Sequence, residues 1–388
     1  MRKFYAGIDI GTYQVKAVIA APAERPDLPM QILGTGSSSS RGLRHGYIID
    51  KAEAAKSIKE ALTRASAAAK IQVRTARLSV GGVGLDEVHS TGEISLTQSG
   101  GVVTDRDMDR ALRESEKRAS QKLVNRTVIH TIPLEYRLDG NTVMGRPQGL
   151  QGVKLTVEAL LITMLTQHYD DLVEATEAAG VEVEGVMAAP LAASLVTLTK
   201  AQKTAGVCLA NIGSETLSIV VFDNDTPVSL KVFPIGGSDI TNSLALTFQV
   251  PLTEAEQMKR GAVTGSDVPQ KKMEAIIVKR LKEMFMLINA HLKSLNRSKL
   301  LPAGVVITGG GSGLVSAQEI ARAVLQLPSS IGQVGQLTRG TGIDAAWAVA
   351  YGLCRWAYGE DAEGEGGFGG AFGNMWDSIK QSIRSLLP

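Results

Sequence analysis

The chain has 388 residues, 44% hydrophobic and 21% charged, the proportions of a globular protein with roughly two to four structural units. Its 41 lysines and arginines nearly balance 39 acidic residues, which argues against a nucleic-acid coat; its only cysteines, Cys208 and Cys354, and its scattered histidines exclude a disulfide framework and a Cys-type zinc site. The opening MRKFYAGIDIGT has no signal-peptide core and no run of 18 apolar residues occurs, so a reducing cytoplasm is the expected compartment.

Residues 4–10 read as a strand, Gly11-Thr12 as a turn and 15–20 as a second strand. Three prolines mark a loop at 22–29. Residues 51–69 are alanine-rich with apolar residues at helical spacing and predict a helix; 78–80 is a short strand ending at Gly81-Gly82. The character then changes. A strand-like piece is followed by a charged helix at 105–123, with Thr104 as N-cap and Asp107 at its third position. Strand-like runs at 127–132 and 135–138 and a turn at Asp139-Gly140 complete a predicted α+β insert. A strand at 157–164 and a helix at 167–179 come next, then a hairpin of 206–212 and 217–222. Residues 253–300 read as helical with a break at 261–269, 305–308 as a buried strand, and 344–358 as a helix.

The segment 359–373 is rich in Gly and Glu and reads as a flexible linker. Beyond it, Phe372, Met375, Trp376, Ile379, Ile383, Leu386 and Leu387 step by three or four onto one helical face. Asp377, Lys380, Gln381 and Arg384 lie off that stripe, and Lys380 and Arg384 are placed to snorkel toward anionic headgroups. This pattern predicts an interfacial membrane helix at 374–388, against the alternative of a helix packed back on the core. A second surface feature is charge. Between Lys259 and Lys299 stand ten basic and three acidic residues (Asp267, Glu274, Glu283), either a solvated helical face or a docking patch for an acidic partner.

A strand carrying Asp, a Gly-Thr turn and a second strand occur at 7–12, and a near-copy stands at 209–216. A third glycine turn, Gly309-Gly310-Gly311, follows the strand at 305–308. Tight glycine hairpins let backbone N–H groups approach phosphate oxygens. A carboxylate at the hairpin base suits Mg²⁺, which keeps several waters and takes one or two carboxylates. One such turn is more often structural; three in this order point to nucleotide binding.

The order resembles the actin, Hsp70 and sugar-kinase superfamily. Within it, the chain resembles the FtsA family of actin-like bacterial cell-division proteins over nearly its whole length, most specifically in SRGLRHG at 40–46, IPLEYRLDG at 132–140, GLQG at 149–152 and ITGGG at 307–311. The resemblance implies an α/β, two-lobed actin-like ATPase fold with a small inserted α+β subdomain and a C-terminal amphipathic helix. Its expected divisions are a lobe 1 core at 1–80 with 158–198 and 338–358, an insert at 81–157, a lobe 2 core at 199–243 with 301–337, a basic helical subdomain at 244–300, a linker at 359–373 and a membrane helix at 374–388.

By the same resemblance, Asp9, Gly11 and Thr12 form a first phosphate hairpin, with Lys16 reaching the phosphates and Asp9 near Mg²⁺. Asn211, Gly213, Ser214, Glu215 and Thr216 form the second. Gly236 and Gly237 precede a helix facing the nucleotide, Glu256 and Lys259 meet ribose and adenine, and Gly309, Gly310 and Gly311 pass under adenine. Taken alone, Glu256 and Lys259 are also the pattern of a plain surface ion pair. The second hairpin departs from the family pattern: Asn211 and Ser218 stand where acidic residues are usual, and Ser214 and Glu215 replace glycines. Glu215 either repels ATP or replaces a metal ligand, and both readings stand at this point. ATP binding with slow or absent hydrolysis is expected.

The resemblance further implies head-to-tail self-association, attachment to the cytoplasmic membrane surface at the division site, no nucleic-acid partner, and docking of the C-terminal tail of the tubulin-like protein FtsZ on the basic subdomain, with Lys279, Arg280 and Lys282 as candidate contacts. The alternatives are an FtsA-like protein of type IV pilus assembly and a small-molecule kinase; a chaperone would need a longer segment after the core.

Overall fold

The computed structural model describes residues 3–23, 29–96, 101–262, 268–314, 316–334 and 343–364. The amphipathic stretch and its membrane residues, from Phe372 to Leu387, lie outside the described residues.

The first sheet begins with β1 (Tyr5–Ile10), β2 (Gln14–Ala21) and β3 (Gln31–Ser39), an antiparallel meander. β6 (Thr75–Val80) and β11 (Glu182–Ala188) add to it in parallel, giving the order β11-β6-β1-β2-β3. β3 was hidden in the sequence because QILGTGSSS reads like a loop. Its glycines serve contact rather than turning. A Cβ on Gly36 would lie 2.1 Å from the Ala61 carbonyl oxygen, and one on Gly34 would lie 2.5 Å from that of Ala65. The alanine-rich face of α1 (Lys51–Ala69) therefore rests directly on the strand. Asp50 caps α1 by accepting from the Glu53 N–H at 3.0 Å. A two-stranded hairpin, β4 (Leu43–Arg44) and β5 (Tyr47–Ile48), connects β3 to α1.

The second sheet repeats this plan. β12 (Val207–Ile212), β13 (Leu217–Asp223) and β14 (Thr226–Phe233) form the meander, and β15 (Val305–Thr308) and β16 (Ser329–Ile331) add in parallel on the other side of β12. The order β14-β13-β12-β15-β16 matches β3-β2-β1-β6-β11 strand for strand. The near-copy of one hairpin in the sequence is the visible part of a whole duplicated sheet. Period-2 alternation joins the lobes: Val207 and Leu209 of β12 lie in the first lobe's core, while Cys208, Ala210 and Ile212 lie in the second's.

Between β6 and α3 (Thr166–Ala178) the insert forms its own antiparallel sheet, ordered β7-β10-β8-β9. Its strands are β7 (Asp86–Ser95), β8 (Arg126–Leu138), β9 (Asn141–Val143) and β10 (Lys154–Leu165). The two runs expected at 127–132 and 135–138 are one strand, irregular where Pro133, which has no N–H, pairs with Ala159. Helix α2 (Asp105–Ala119) covers one face, and Thr104 and Asp107 form a reciprocal capping box at its start. Along β10, Leu155, Val157, Ala159 and Leu161 face α2, whereas Leu160, Ile162 and Met164 join the first lobe's core. The insert is thus welded to the first lobe by the other face of its own sheet.

After β11, α4 (Ala189–Thr197) and α5 (Lys200–Ala205) lead into the second lobe. There α6 (Gly237–Phe248), α7 (Leu252–Lys259), α8 (Gln270–Ser294) and α9 (Ala317–Leu325) pack around the second core. The chain returns to the first lobe in α10 (Ala348–Gly364), which buries Tyr351 and Trp356 and lies so close to β1 that a Cβ on Gly7 would meet the Ala350 carbonyl oxygen at 2.2 Å. α10 continues past Gly359 into the segment expected to be linker. Arg77 from β6 pairs with Glu360 at 2.8 Å and Lys3 with Asp361 at 2.9 Å, so those acidic residues extend the helix.

Candidate nucleotide cleft

A cavity of about 500 Å³ lies between the lobes, within the range of small-molecule sites. One wall is the β1–β2 hairpin, the other the β12–β13 hairpin. The turns have the same backbone geometry: the Gly11 N–H donates to the Gln14 carbonyl at 3.2 Å, and the Gly213 N–H to the Thr216 carbonyl at 2.8 Å. The register is equivalent too, with Asp9 opposite Lys16 and Asn211 opposite Ser218. Asp9, Gly11, Thr12, Lys16, Asn211, Gly213, Ser214, Thr216, Gly237, Glu256, Lys259, Gly309, Gly310 and Gly311 all line the cavity.

The first hairpin is charged. Asp9 accepts a hydrogen bond from Ser79 at 2.9 Å. Burial pushes its carboxyl above the ordinary carboxylate range, against the pull of the Lys16 charge and the Ser79 bond. Lys16 extends along the cavity and donates to the Ala346 carbonyl at 2.9 Å, with its ammonium 5.9 Å from the Trp347 ring. The second hairpin is neutral at the matching positions. The Asn211 amide nitrogen lies 3.5 Å from the Ser218 hydroxyl. A Cβ on Gly309 would fall 2.4 Å from the Asn211 amide oxygen and 2.5 Å from the Ile212 carbonyl oxygen, and φ there is +82°, so both space and backbone call for glycine.

Two expected ligand residues stand elsewhere. Glu215 does not line the cavity. Its carboxylate crosses to the opposite lobe and accepts the backbone N–H of His45, so neither reading of it, repulsion of phosphate or metal ligation, describes what its carboxylate does. Gly236 lies behind the second hairpin, where a Cβ would meet the Ser214 carbonyl oxygen at 2.4 Å. The first N–H groups of α6 hold that hairpin from behind: Gly237 donates to the Gly213 carbonyl at 2.9 Å and Ser238 to that of Ser214 at 2.7 Å. This helix start is therefore a brace for the loop.

At the other end, Glu256 and Lys259 are no exposed surface pair. Lys259 donates to Glu256 at 2.6 Å, to Thr241 at 2.9 Å and to the Gly237 carbonyl at 3.1 Å. Burial works to raise the Glu256 carboxyl, but hydrogen bonds from Lys259 and Thr241, with the Lys259 charge, hold it below its ordinary value. Arg260 was missed in the sequence although it is the i+4 partner of Glu256. It donates to Glu256 at 2.9 Å and lies 5.2 Å over the ring of Tyr13 from the first hairpin. Ser79, Gly46 and Gly82 also line the cavity, brought there by β6 and the β4–β5 hairpin with no linear motif linking them to the rest.

On α8, Arg280 of the three candidate docking residues is engaged by Glu283 at 2.7 Å and Ser243 at 2.8 Å. Lys279, Lys282 and Met286 are exposed along one side of the helix, Met286 by 61%.

Two duplicated sheets closing on a cleft between their glycine hairpins make this the two-lobed actin-like ATPase fold, carrying an extra α+β domain. Comparison with solved structures agrees. The PilM–PilN type IV pilus biogenesis complex matches with a TM-score of 0.70 at 19% identity, over 92% of this chain and 98% of that one. MreB 5 of Spiroplasma citri bound to AMPPNP matches with a TM-score of 0.54 at 11% identity, over 94% and 99%. At such identities the likeness speaks for the fold alone.

The family is set by sequence comparison. A model described as cell division protein FtsA matches residues 208–352, and one described as the SHS2 domain inserted in FTSA matches 82–163. Together they span more than half of the chain, which belongs to the FtsA family. Relatives named cell division protein FtsA include that of Escherichia coli K12, 28% identical with 85% of this chain and 84% of the relative covered, and that of Pseudomonas aeruginosa, 26% identical with 85% and 83% covered.

Proposed function

We propose that this FtsA-family chain is an ATP-binding, polymer-forming adaptor that tethers FtsZ filaments to the cytoplasmic membrane at the division site. The observation that carries the reading is the cleft: three separate glycine turns and the Glu256–Lys259 pair surround one cavity of nucleotide size. Backbone N–H groups of the two hairpins would cradle phosphates, and the glycine turn at 309–311 would lie under the base. The donor set fits a hydrated Mg²⁺. Asp9 has one oxygen engaged by Ser79, which leaves the other for the ion's water shell. The Mg²⁺ would neutralise phosphate charge. Asn211 and Ser218 offer no second carboxylate, so the nucleotide serves as a structural cofactor and is hydrolysed slowly or not at all.

The exposed side of α8, with Lys279, Lys282 and Met286, suits an acidic peptide with apolar residues and is the proposed seat of the FtsZ tail. Subunits would associate head to tail into filaments, and the segment 374–388 would lie in the membrane interface. Its six or seven large apolar side chains would contribute roughly 5–10 kcal/mol before the helix is ordered, so one copy binds reversibly and filaments multiply the avidity. Three measurements test the reading. Calorimetry should show ATP binding below millimolar concentration. FtsZ should co-sediment with the protein. Wild type should float with anionic liposomes, while deletion of 374–388 or Trp376→Glu should leave it in the soluble fraction; equal flotation of the deletion would remove the anchor. The type IV pilus alternative predicts no co-sedimentation with FtsZ.

A further inference from the structure

Glu215 sits one turn position from the residues that line the cavity, yet its carboxylate leaves the site and binds the other lobe. Both ends of that bond are held by packing and hydrogen bonds within their own lobes. The Glu215 loop is held from behind by α6 and by a 2.7 Å contact between the Ser214 and Ser238 hydroxyls. His45, at φ +50°, forms the tip of the β4–β5 hairpin. That tip is packed on the first lobe: a Cβ on Gly46 would meet the Gly82 Cα at 2.3 Å, and the Val83 N–H donates to the His45 carbonyl at 3.3 Å. Gly46, Gly82 and Ser214, beside the two partners, line the cavity. The bond therefore bridges the two lobes at the hairpin end of the cleft, and neither loop can move away without breaking it.

Internal duplication supplies an independent observation. Tyr13 holds in the first hairpin the place that Glu215 holds in the second, two residues beyond the turn glycine. Tyr13 also crosses the cleft, stacking with Arg260 of the second lobe. Each hairpin thus sends its equivalent residue to the opposite lobe.

We propose that Glu215 is a positioning residue, a latch on the His45 backbone N–H that holds the lobes closed and slows nucleotide exchange. This rests on the reading of the cleft as a nucleotide site. A carboxylate on a backbone N–H is a charge-assisted bond, and losing it should speed release of bound nucleotide roughly ten-fold.

The full chain is tested with a fluorescent ADP and a fluorescent non-hydrolysable ATP analogue, by stopped-flow release, and by hydrogen exchange at the His45 amide without nucleotide. Glu215→Ala should release both ligands roughly ten-fold faster and expose the His45 amide. Glu215→Gln, which keeps an oxygen acceptor without the charge, should fall between. His45→Asn, which keeps the N–H and tolerates positive φ, should release at close to the wild-type rate, because the backbone donates the bond and the imidazole Nδ1 lies 3.9 Å from the same carboxylate oxygen, beyond hydrogen-bond distance. Unchanged release and unchanged exchange in Glu215→Ala would overturn the latch, as would a His45→Asn effect as large as that of Glu215→Ala. If the wild type binds no nucleotide, the cleft reading fails, while hydrogen exchange at His45 still tests the contact between the lobes. If Glu215→Ala does not fold, Glu215→Gln decides: wild-type release and wild-type exchange in that variant would count against the latch.

Discussion

The β1–β2 and β12–β13 hairpins share a backbone and differ in chemistry. Each closes the same turn and sits in the same place in a sheet of the same order. The first carries Asp9 and Lys16 on paired positions, whereas the second carries Asn211 and Ser218. The first directs an aromatic ring across the cleft and the second a carboxylate. Duplicated topology reproduces the shape of a phosphate cradle without its charge. In this molecule the shape is kept twice and the charge once, and the proposed role, holding nucleotide more than hydrolysing it, rests on that difference.

The comparison is broken most severely at Asp9. Asp9→Asn is expected to weaken Mg²⁺-nucleotide binding about 100-fold, the equivalent of about 3 kcal/mol for a charged contact, as measured by calorimetry. The same change should raise the melting temperature of the nucleotide-free protein. Burial lifts the folded-state pKa of Asp9 above its unfolded value. The folded state therefore holds the proton more tightly, and stability falls as pH rises through the window above the ordinary carboxylate value. Removing the charge removes that cost, so tighter folding with weaker binding is the signature. A lower melting temperature would show that the Ser79 bond outweighs the buried charge.

Gly236→Ala tests the brace behind the second hairpin. At φ −163° the backbone there is extended and open to any residue, so the penalty is contact with the Ser214 carbonyl and the Glu215 backbone nitrogen. A destabilisation of about 1–3 kcal/mol in denaturant unfolding is expected, with reduced nucleotide affinity. Full stability would mean that the loop moves freely.

Asn211→Asp sharpens the comparison by giving the second hairpin the carboxylate of the first. ATP turnover should rise several-fold, about 1 kcal/mol of barrier, in a phosphate-release assay. No change would show that charge is not what limits the site. The structure separates this change from Glu215, which belongs to closure of the cleft.

The smallest effect is expected outside the cleft, on the exposed side of α8. Lys279→Glu with Lys282→Glu should weaken FtsZ-tail binding by roughly three- to ten-fold, on the scale of exposed ion pairs, and flatten its salt dependence. Nucleotide affinity should not change. Arg280 is left intact because its bond to Ser243 holds α8 to α6.

Much of the fold was legible because local patterns reported it. The capping box of α2, the alanine face of α1 and the glycine turns are encoded within a few residues. What stayed hidden was set by distant partners. β3 reads as a loop because its glycines answer to α1, which lies across the sheet from them. The helix through Glu360 and Asp361 reads as linker because the basic partners of those acids, Arg77 and Lys3, lie hundreds of residues away. The candidate site divides in the same way. The sequence by itself marked the two glycine hairpins as candidates for phosphate, since a strand, a glycine turn and a second strand are a local shape. Only the tertiary structure decided that Glu215 leaves the cavity, that Gly236 supports it from behind, and that Arg260 and Tyr13 meet across it. Those outcomes depend on which backbone stands opposite, and linear spacing carries no record of what another lobe presents.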